Sequence, residues 1–423
     1  MASFLMVGLT FCQNTAEQSF TKGVEYAAEG DFERAKKEFE RALKVDPTHE
    51  FAKRFLMLIE DIKEQEIRTK TAVPFFKGAT YALKGQWTEA ILEYNRAIEI
   101  EPNHAMPYLS RGKAYAQKGE YNQAIFDFTK AIEINPRDAE AYNNRGIAYH
   151  LREQNDQAIS DFTKAIEINS RNAEAYSNRG KACAKKGQYD QAISDYNRAI
   201  EIDPKDVEAY YNRGIAYHFK GWNVKAITDY SMAIEKAPQY VEAYNNRGVA
   251  LQEIGQMDNA ILDYSKAIKI RPTYAEAYYN RGRAYYIRAY YKQAITDYSK
   301  AIEIRPTYGV AYYNRGRAHY FSGQFDQAIS DFTKAIELNP RDAEAYNNRG
   351  TAFASKGRYE RAIIDYNRAI EINPALAMAY IERGLVYMER LGNKKRACSD
   401  WKRACELEEC YHYTIAKRTG DCQ

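Results

Sequence analysis

The chain is 423 residues long and carries 61 basic against 57 acidic side chains, a formal net charge of +4 with the two signs interspersed. That balance argues against a nucleic-acid binder, which needs a basic face to neutralise phosphates. No Gly-rich phosphate loop, His-Glu-x-x-His run or paired Cys-x-x-Cys occurs and the six histidines are scattered, so no metal, no cofactor and no enzyme are expected.

In chain order, residues 1–15 come first, apolar from Ala2 to Cys12 with no basic residue before Lys22. The stretch is too short to span a bilayer, so no transmembrane segment is expected there, and it looks like part of an export signal. A lipid anchor at Cys12 is disfavoured by Phe11, which stands where such signals want a small residue. Residues 16–49 form a first helical unit with Gly23 as its marker, and residues 50–70 follow with Phe51, Phe55, Leu58 and Ile62 as a helical stripe. That spacing predicts one spacer helix, either packed between its neighbours or acting as a hinge.

From residue 71 to 410 the chain repeats every 34 residues, marked by Gly78, Gly112, Gly146, Gly180, Gly214, Gly248, Gly282, Gly316, Gly350 and Gly384. A fixed period of this size means stacked units that bury a core only against their neighbours. With the marker glycine as slot 8, residues 71–410 hold ten units and Ala16–His49 an eleventh. Within a unit, Asp138, Asp206 and Asp342 stand where an N-cap would open a first helix. A glycine such as Gly187 or Gly323 in slot 15 suits a left-handed helix end. The second helix places alanines in slots 20 and 27 around an aromatic in slot 24, as in Ala192, Tyr196 and Ala199, and a proline in slot 32 closes most units.

These residues reproduce the pattern of the tetratricopeptide repeat, and the chain resembles that family over about nine-tenths of its length. The resemblance implies an all-α, right-handed superhelical solenoid of antiparallel helix pairs, whose concave face of first helices binds protein or peptide segments. Pentatricopeptide RNA readers are the nearest rival, but their period is 35 and they lack the slot-32 proline.

The chain departs from the family in slot 7, where the usual leucine is replaced by Arg111, Arg145, Arg179, Arg213, Arg247, Arg281, Arg315, Arg349 and Arg383. Slot 23 of the same units supplies an aspartate, from Asp127 to Asp365, and at Asp400 after one inserted residue. A charge in a packed position needs a partner, so a ladder of interhelix ion pairs is expected, with Lys22 and Glu38, and Lys77 and Glu93, as the equivalents in the two units that carry lysine. Most of the 37 tyrosines fall in the packing slots 4, 11, 17 and 24, where an amphipathic ring suits a thin two-layer stack.

Slot 6 repeats a polar residue that packing does not demand: Asn144, Asn178, Asn212, Asn246, Asn280, Asn314 and Asn348. It resembles the asparagine ladder of the O-linked N-acetylglucosamine transferase superhelix, and the resemblance implies amides that hold a peptide backbone. A carboxamide offers two donors and an acceptor, so a row of them can satisfy an extended segment without reading its side chains; the alternative is hydrogen bonding inside the stack. A second candidate patch is the pair of units that read Tyr279, Arg283, Tyr286 and Tyr313, Arg317, Tyr320, each a cation between aromatic rings.

Residues 411–423 form a tail, and Cys398, Cys405, Cys410 and Cys422 cluster there and in the last unit. In an exported or periplasmic protein they could staple the open end, and in a cytoplasmic one they would be plain thiols; Cys398 and Cys405 lie two turns apart on one helix, about 10 Å, and should not pair with each other. The expectation is a non-catalytic scaffold for an extended protein segment, with a helical-repeat RNA binder and a regulatory subunit docking through its convex face as alternatives.

Overall fold

The structure is a computed structural model that describes residues 15–62 and 66–422; the signal-like residues lie outside them, apart from Thr15. Among the described residues there are helices and turns and no strand. The first elements are α1 (Thr15–Ala28), α2 (Phe32–Val45), α3 (Glu50–Ile62), α4 (Glu66–Leu83) and α5 (Trp87–Ile100). Helix α2 starts where Asp31 accepts from the Arg34 amide at 3.0 Å, the local bond that makes aspartate a good helix opener.

Within the stretch 50–70 the described residues belong to α3, Glu50–Ile62, and to the start of α4, which runs from Glu66 through Pro74 into the next unit. Ala52, Phe55 and Ile59 of α3 are buried in one aromatic core with Phe20, Phe39, Phe75 and Phe76. The Phe55 and Phe76 rings meet edge to face at 5.2 Å, a favoured aromatic geometry.

Beyond α5 the helices continue as antiparallel pairs of a 13-residue and a 14-residue helix, for example Ala275–Ile287 with Tyr291–Ile304. The 34-residue glycine period has a steric cause. A Cβ on Gly282 would sit 2.9 Å from Cε1 of Tyr298, and one on Gly78 only 2.6 Å from Cε1 of Tyr94, so the slot-24 ring rests on bare backbone. Alanines on either side, such as Ala294 and Ala301, are fully buried and let the paired helices approach. The turn between helices is left-handed, with φ +75° at Gly323; Glu153 and Ala289 hold the same turn at 60° and 59° without glycine's freedom.

Two compact units divide the chain, one up to Ala216 and one from Tyr217. From α5 on, second helices pack on the first helix of the following pair, as Tyr291–Ile304 packs on Gly309–Phe321, and first helices of consecutive pairs also touch, as Ala275–Ile287 touches Gly309–Phe321; at the start α1 packs on α4 and α2 on α3. At the end of the second unit the inserted residue is absorbed as a π-helical turn, Val386–Arg390, which lengthens the first helix before Lys394–Glu406. Disulfides join Cys398 to Cys422 and Cys405 to Cys410. The helix Tyr411–Arg418 is held beside Trp401 and Tyr387, and its Ala416 is buried with them.

Candidate functional site

Slot 7 builds the frame. Arg281 donates from Nε to Asp297 at 2.7 Å and from Nη2 to the other carboxylate oxygen at 2.8 Å. The same two-pronged pair forms at Arg111, Arg145, Arg179, Arg247, Arg315, Arg349 and Arg383. Burial pushes the Asp127 carboxyl up, against the pull of Arg111. A third donor, Nη1, reaches back 16 residues to the preceding second helix: Arg281 to Ser265 at 2.9 Å, Arg145 to Thr129 at 3.0 Å, Arg213 to Asn197 at 2.6 Å. Each arginine that carries the two-pronged pair thus joins three helices through a planar fork of donors that a lysine's compact ammonium does not offer.

The lysine units differ accordingly. Glu38 and Glu93 pair with Arg41 and Arg96 of their own helices, at 3.7 and 2.5 Å, and the expected Lys22–Glu38 and Lys77–Glu93 pairs are not among the ion pairs of the described residues. The slot-25 acceptor escaped the sequence reading, although that slot is always Ser, Thr or Asn from Asn95 to Asn367.

The slot-6 asparagines lie on the first helices, most of them half-buried. Their amides are partly engaged inside the stack. Asn178 donates to Oδ1 of Asn143 at 3.3 Å and Asn280 to Oδ1 of Asn245 at 2.9 Å, both 35 residues earlier. Asn314 and Asn348 make the same reach to the hydroxyls of Tyr279 and Tyr313, at 3.1 and 2.8 Å. Asn144 and Asn314 also donate to the carbonyls of Glu140 and Val310, each at 2.9 Å, and Oδ1 of Asn246 accepts from Asn245 at 3.2 Å. Asn212 lies half-buried in the first unit. Both uses of the slot are thus open at once: stack bonds occupy donors and fix the amide plane, while the bonds named leave Oδ1 of Asn144, Asn178, Asn280, Asn314 and Asn348 as acceptors.

In the tyrosine-arginine patch, the cation between rings forms once and across two pairs, not within each. The Arg317 guanidinium lies 4.9 Å from the Tyr286 ring and 5.9 Å from the Tyr313 ring. Arg283 is exposed. Tyr279 packs on Tyr298 and Tyr308 at 5.8 and 5.2 Å, so it is drawn into the wall by larger aromatic contacts. Tyr320 reaches the Ser355 hydroxyl at 3.3 Å.

Another part of the first-helix face is already occupied. Arg54 of α3 pairs with Glu140 and lies 3.8 Å from Asp138, Lys113 pairs with the same Glu140, and the Lys113 ammonium sits 5.0 Å from the Phe51 ring. Burial works against ionisation of Glu140, yet Lys113 and Arg54 hold its carboxyl below the usual range. This contact spans 86 residues and no local spacing announces it.

Among the described residues no cluster of His, Cys, Asp and Glu could hold a metal ion, and no helix is long and apolar enough to cross a membrane.

Comparison with known proteins gives repeated matches to models described as TPR repeat, over residues 78–119, 112–152, 180–221, 253–287 and 290–321, and as tetratricopeptide repeat, over 16–49, 139–172, 162–194 and 313–377. No curated protein matches at a significant level. Among solved structures, MamA is 31% identical over 39% of this chain and 96% of its own, with a TM-score of 0.37. YrrB, a TPR protein with an unusual peptide-binding site, is 26% identical over 44% of this chain and 95% of its own, with a TM-score of 0.39. The Cut9 and Hcn1 hetero-tetramer of APC/C is 15% identical over 87% of this chain and 75% of its own, at 0.46.

Proposed function

Since the chain belongs to the tetratricopeptide-repeat family, we propose that it is a non-catalytic scaffold that holds an extended protein segment on the face formed by its first helices. The observation that carries this is the repeated slot-6 amide, held in a fixed plane by a neighbour 35 residues away with its acceptor left over. An extended chain presents a backbone N–H on alternate residues, and pre-oriented acceptors take them with little ordering cost. In the second unit Asn280, Asn314 and Asn348 serve this role together with Arg283, Arg317 and the tyrosines around them; in the first, Asn144, Asn178 and Asn212 do. Residues 16–49 and 71–410 act as eleven repeats, and α3 between them covers part of the face. The paired cysteines fit an oxidising compartment, consistent with export.

The test is display selection with random dodecapeptides. The protein enriches a defined set, and changing Asn280, Asn314 and Asn348 together to alanine lowers affinity for that set by about ten- to a hundredfold, at roughly 1 kcal/mol or less per bond, with helicity unchanged. Binding unaffected by those changes would move the site to the outer face. Steeply salt-dependent binding to random RNA would favour the nucleic-acid reading.

A further inference from the structure

Slot 9 of the first helices carries a cation in four units, and register shows what each cation meets. Lys113 pairs with Glu140 and Lys181 with Glu208 at 2.6 Å, in both cases 27 residues onward, at slot 2 of the next unit. The same step from Arg283 arrives at Val310, which is half exposed at 51%. From Arg317 it arrives at Glu344, but the Tyr313 hydroxyl donates to that carboxylate at 2.9 Å. Neither arginine has an ion pair among the described residues, in a chain where most charges on these faces are matched. The pair forms at Lys113 and Lys181; at Arg283 a valine stands where the acid would be, and at Arg317 the acid is engaged by Tyr313.

A second observation lies beneath them. The slot-24 tyrosine hydroxyls point toward slots 9 and 12 of their own first helix: Tyr366 donates to Thr351 at 3.3 Å and Tyr264 to Gln252 at 3.4 Å. For Tyr298 those slots are Arg283 and Tyr286, and its hydroxyl is buried without a hydrogen-bond partner. Burial pushes its ionisation upward, so it stays a neutral donor. A buried donor left unsatisfied is costly, and it stands near two guanidinium groups that have no carboxylate partner, Arg317 bonding only to the Tyr286 hydroxyl.

We infer that this place, formed by Arg283, Arg317, Tyr298 and the rings of Tyr286 and Tyr313, takes acidic side chains of the bound segment, which supply the carboxylate that Val310 lacks. This deepens the proposed function and rests on it. Adjacent helices lie about 10 Å apart and an extended chain advances about 3.3 Å per residue, so the segment carries two carboxylates about three residues apart. Arginine forks match carboxylate geometry in two-pronged pairs.

The test uses three fluorescent dodecapeptide libraries, randomised except at two positions three apart, fixed as Glu, Gln or phosphotyrosine, and read by anisotropy on the full chain. The Glu library binds about tenfold more tightly than the Gln library, and Arg283→Gln lowers the difference to about threefold, the share left to Arg317. Val310→Glu lowers it likewise, with both arginines intact, because it gives Arg283 the internal pair that Lys113 and Lys181 have. Arg341→Gln, an exposed control, leaves it unchanged. Equal binding of Glu and Gln libraries overturns the acidic assignment, and if that binding is still lost on changing Asn280, Asn314 and Asn348 to alanine, the groove reading stands alone. Preference for phosphotyrosine over Glu, an unaltered preference in Val310→Glu, or no binding by the Glu library each overturn it as well.

Discussion

At the scale of single residues, the arginine in slot 7 shows why a charged position can be conservative structure. Arg281 keeps about a fifth of its side chain exposed while Asp297 is almost fully covered, so the aspartate depends on the pair more than the arginine does. Arg281→Met strands that carboxylate and is expected to cost about 3 kcal/mol, the low end for breaking a buried pair. Arg281→Met with Asp297→Leu should recover most of the loss, since an apolar pair of similar volume is often neutral. Because repeat arrays lose all-or-none unfolding, amide hydrogen exchange over residues 275–304 is the readout. Equal protection in the single variant and the parent would contradict the account. The Arg–Asp pairing was legible because both slots vary together in kind; the third partner was hidden because Ser, Thr and Asn in slot 25 look like ordinary exposed polar choices.

At the scale of the element, the helix pair was read from sequence almost whole, since glycine, alanine, aromatic and proline each answer one steric demand at a fixed slot. Where a unit departs from the rule, the backbone does not. Ala289 holds a left-handed turn at φ 59° that glycine fills in most other units, so Ala289→Gly should raise local stability by about 0.5–1 kcal/mol in amide hydrogen exchange over residues 275–304, the relief of Cβ strain less the added chain entropy. Lower protection would mean that the alanine side chain contributes packing there. The inserted residue before Asp400 was visible in the spacing, but its accommodation as a π turn follows from the need to keep Arg383 and Asp400 in contact, at 2.6 Å. What sequence could not show was α3 lying against Glu140, because a contact between segments 86 residues apart leaves no periodic trace.

At the scale of the molecule, a repeat array offers the same face many times, and selectivity among segments must come from the positions where repeats disagree. The sequence pointed to slot 6 by its sameness and to residues 279–320 by its difference; it did not show that the amides would spend donors on slot 5, nor that Arg283 loses its acid at Val310. The central claim is that a segment binds on the first-helix face. Photo-cross-linking tests it most directly, with a benzophenone amino acid placed singly at Val249 or Thr351 on first helices, and at Leu262 or Ile364, exposed at 67% and 64% on second helices. A peptide enriched by display should cross-link from Val249 and Thr351 and not from Leu262 or Ile364; cross-links confined to Leu262 and Ile364 would contradict the account.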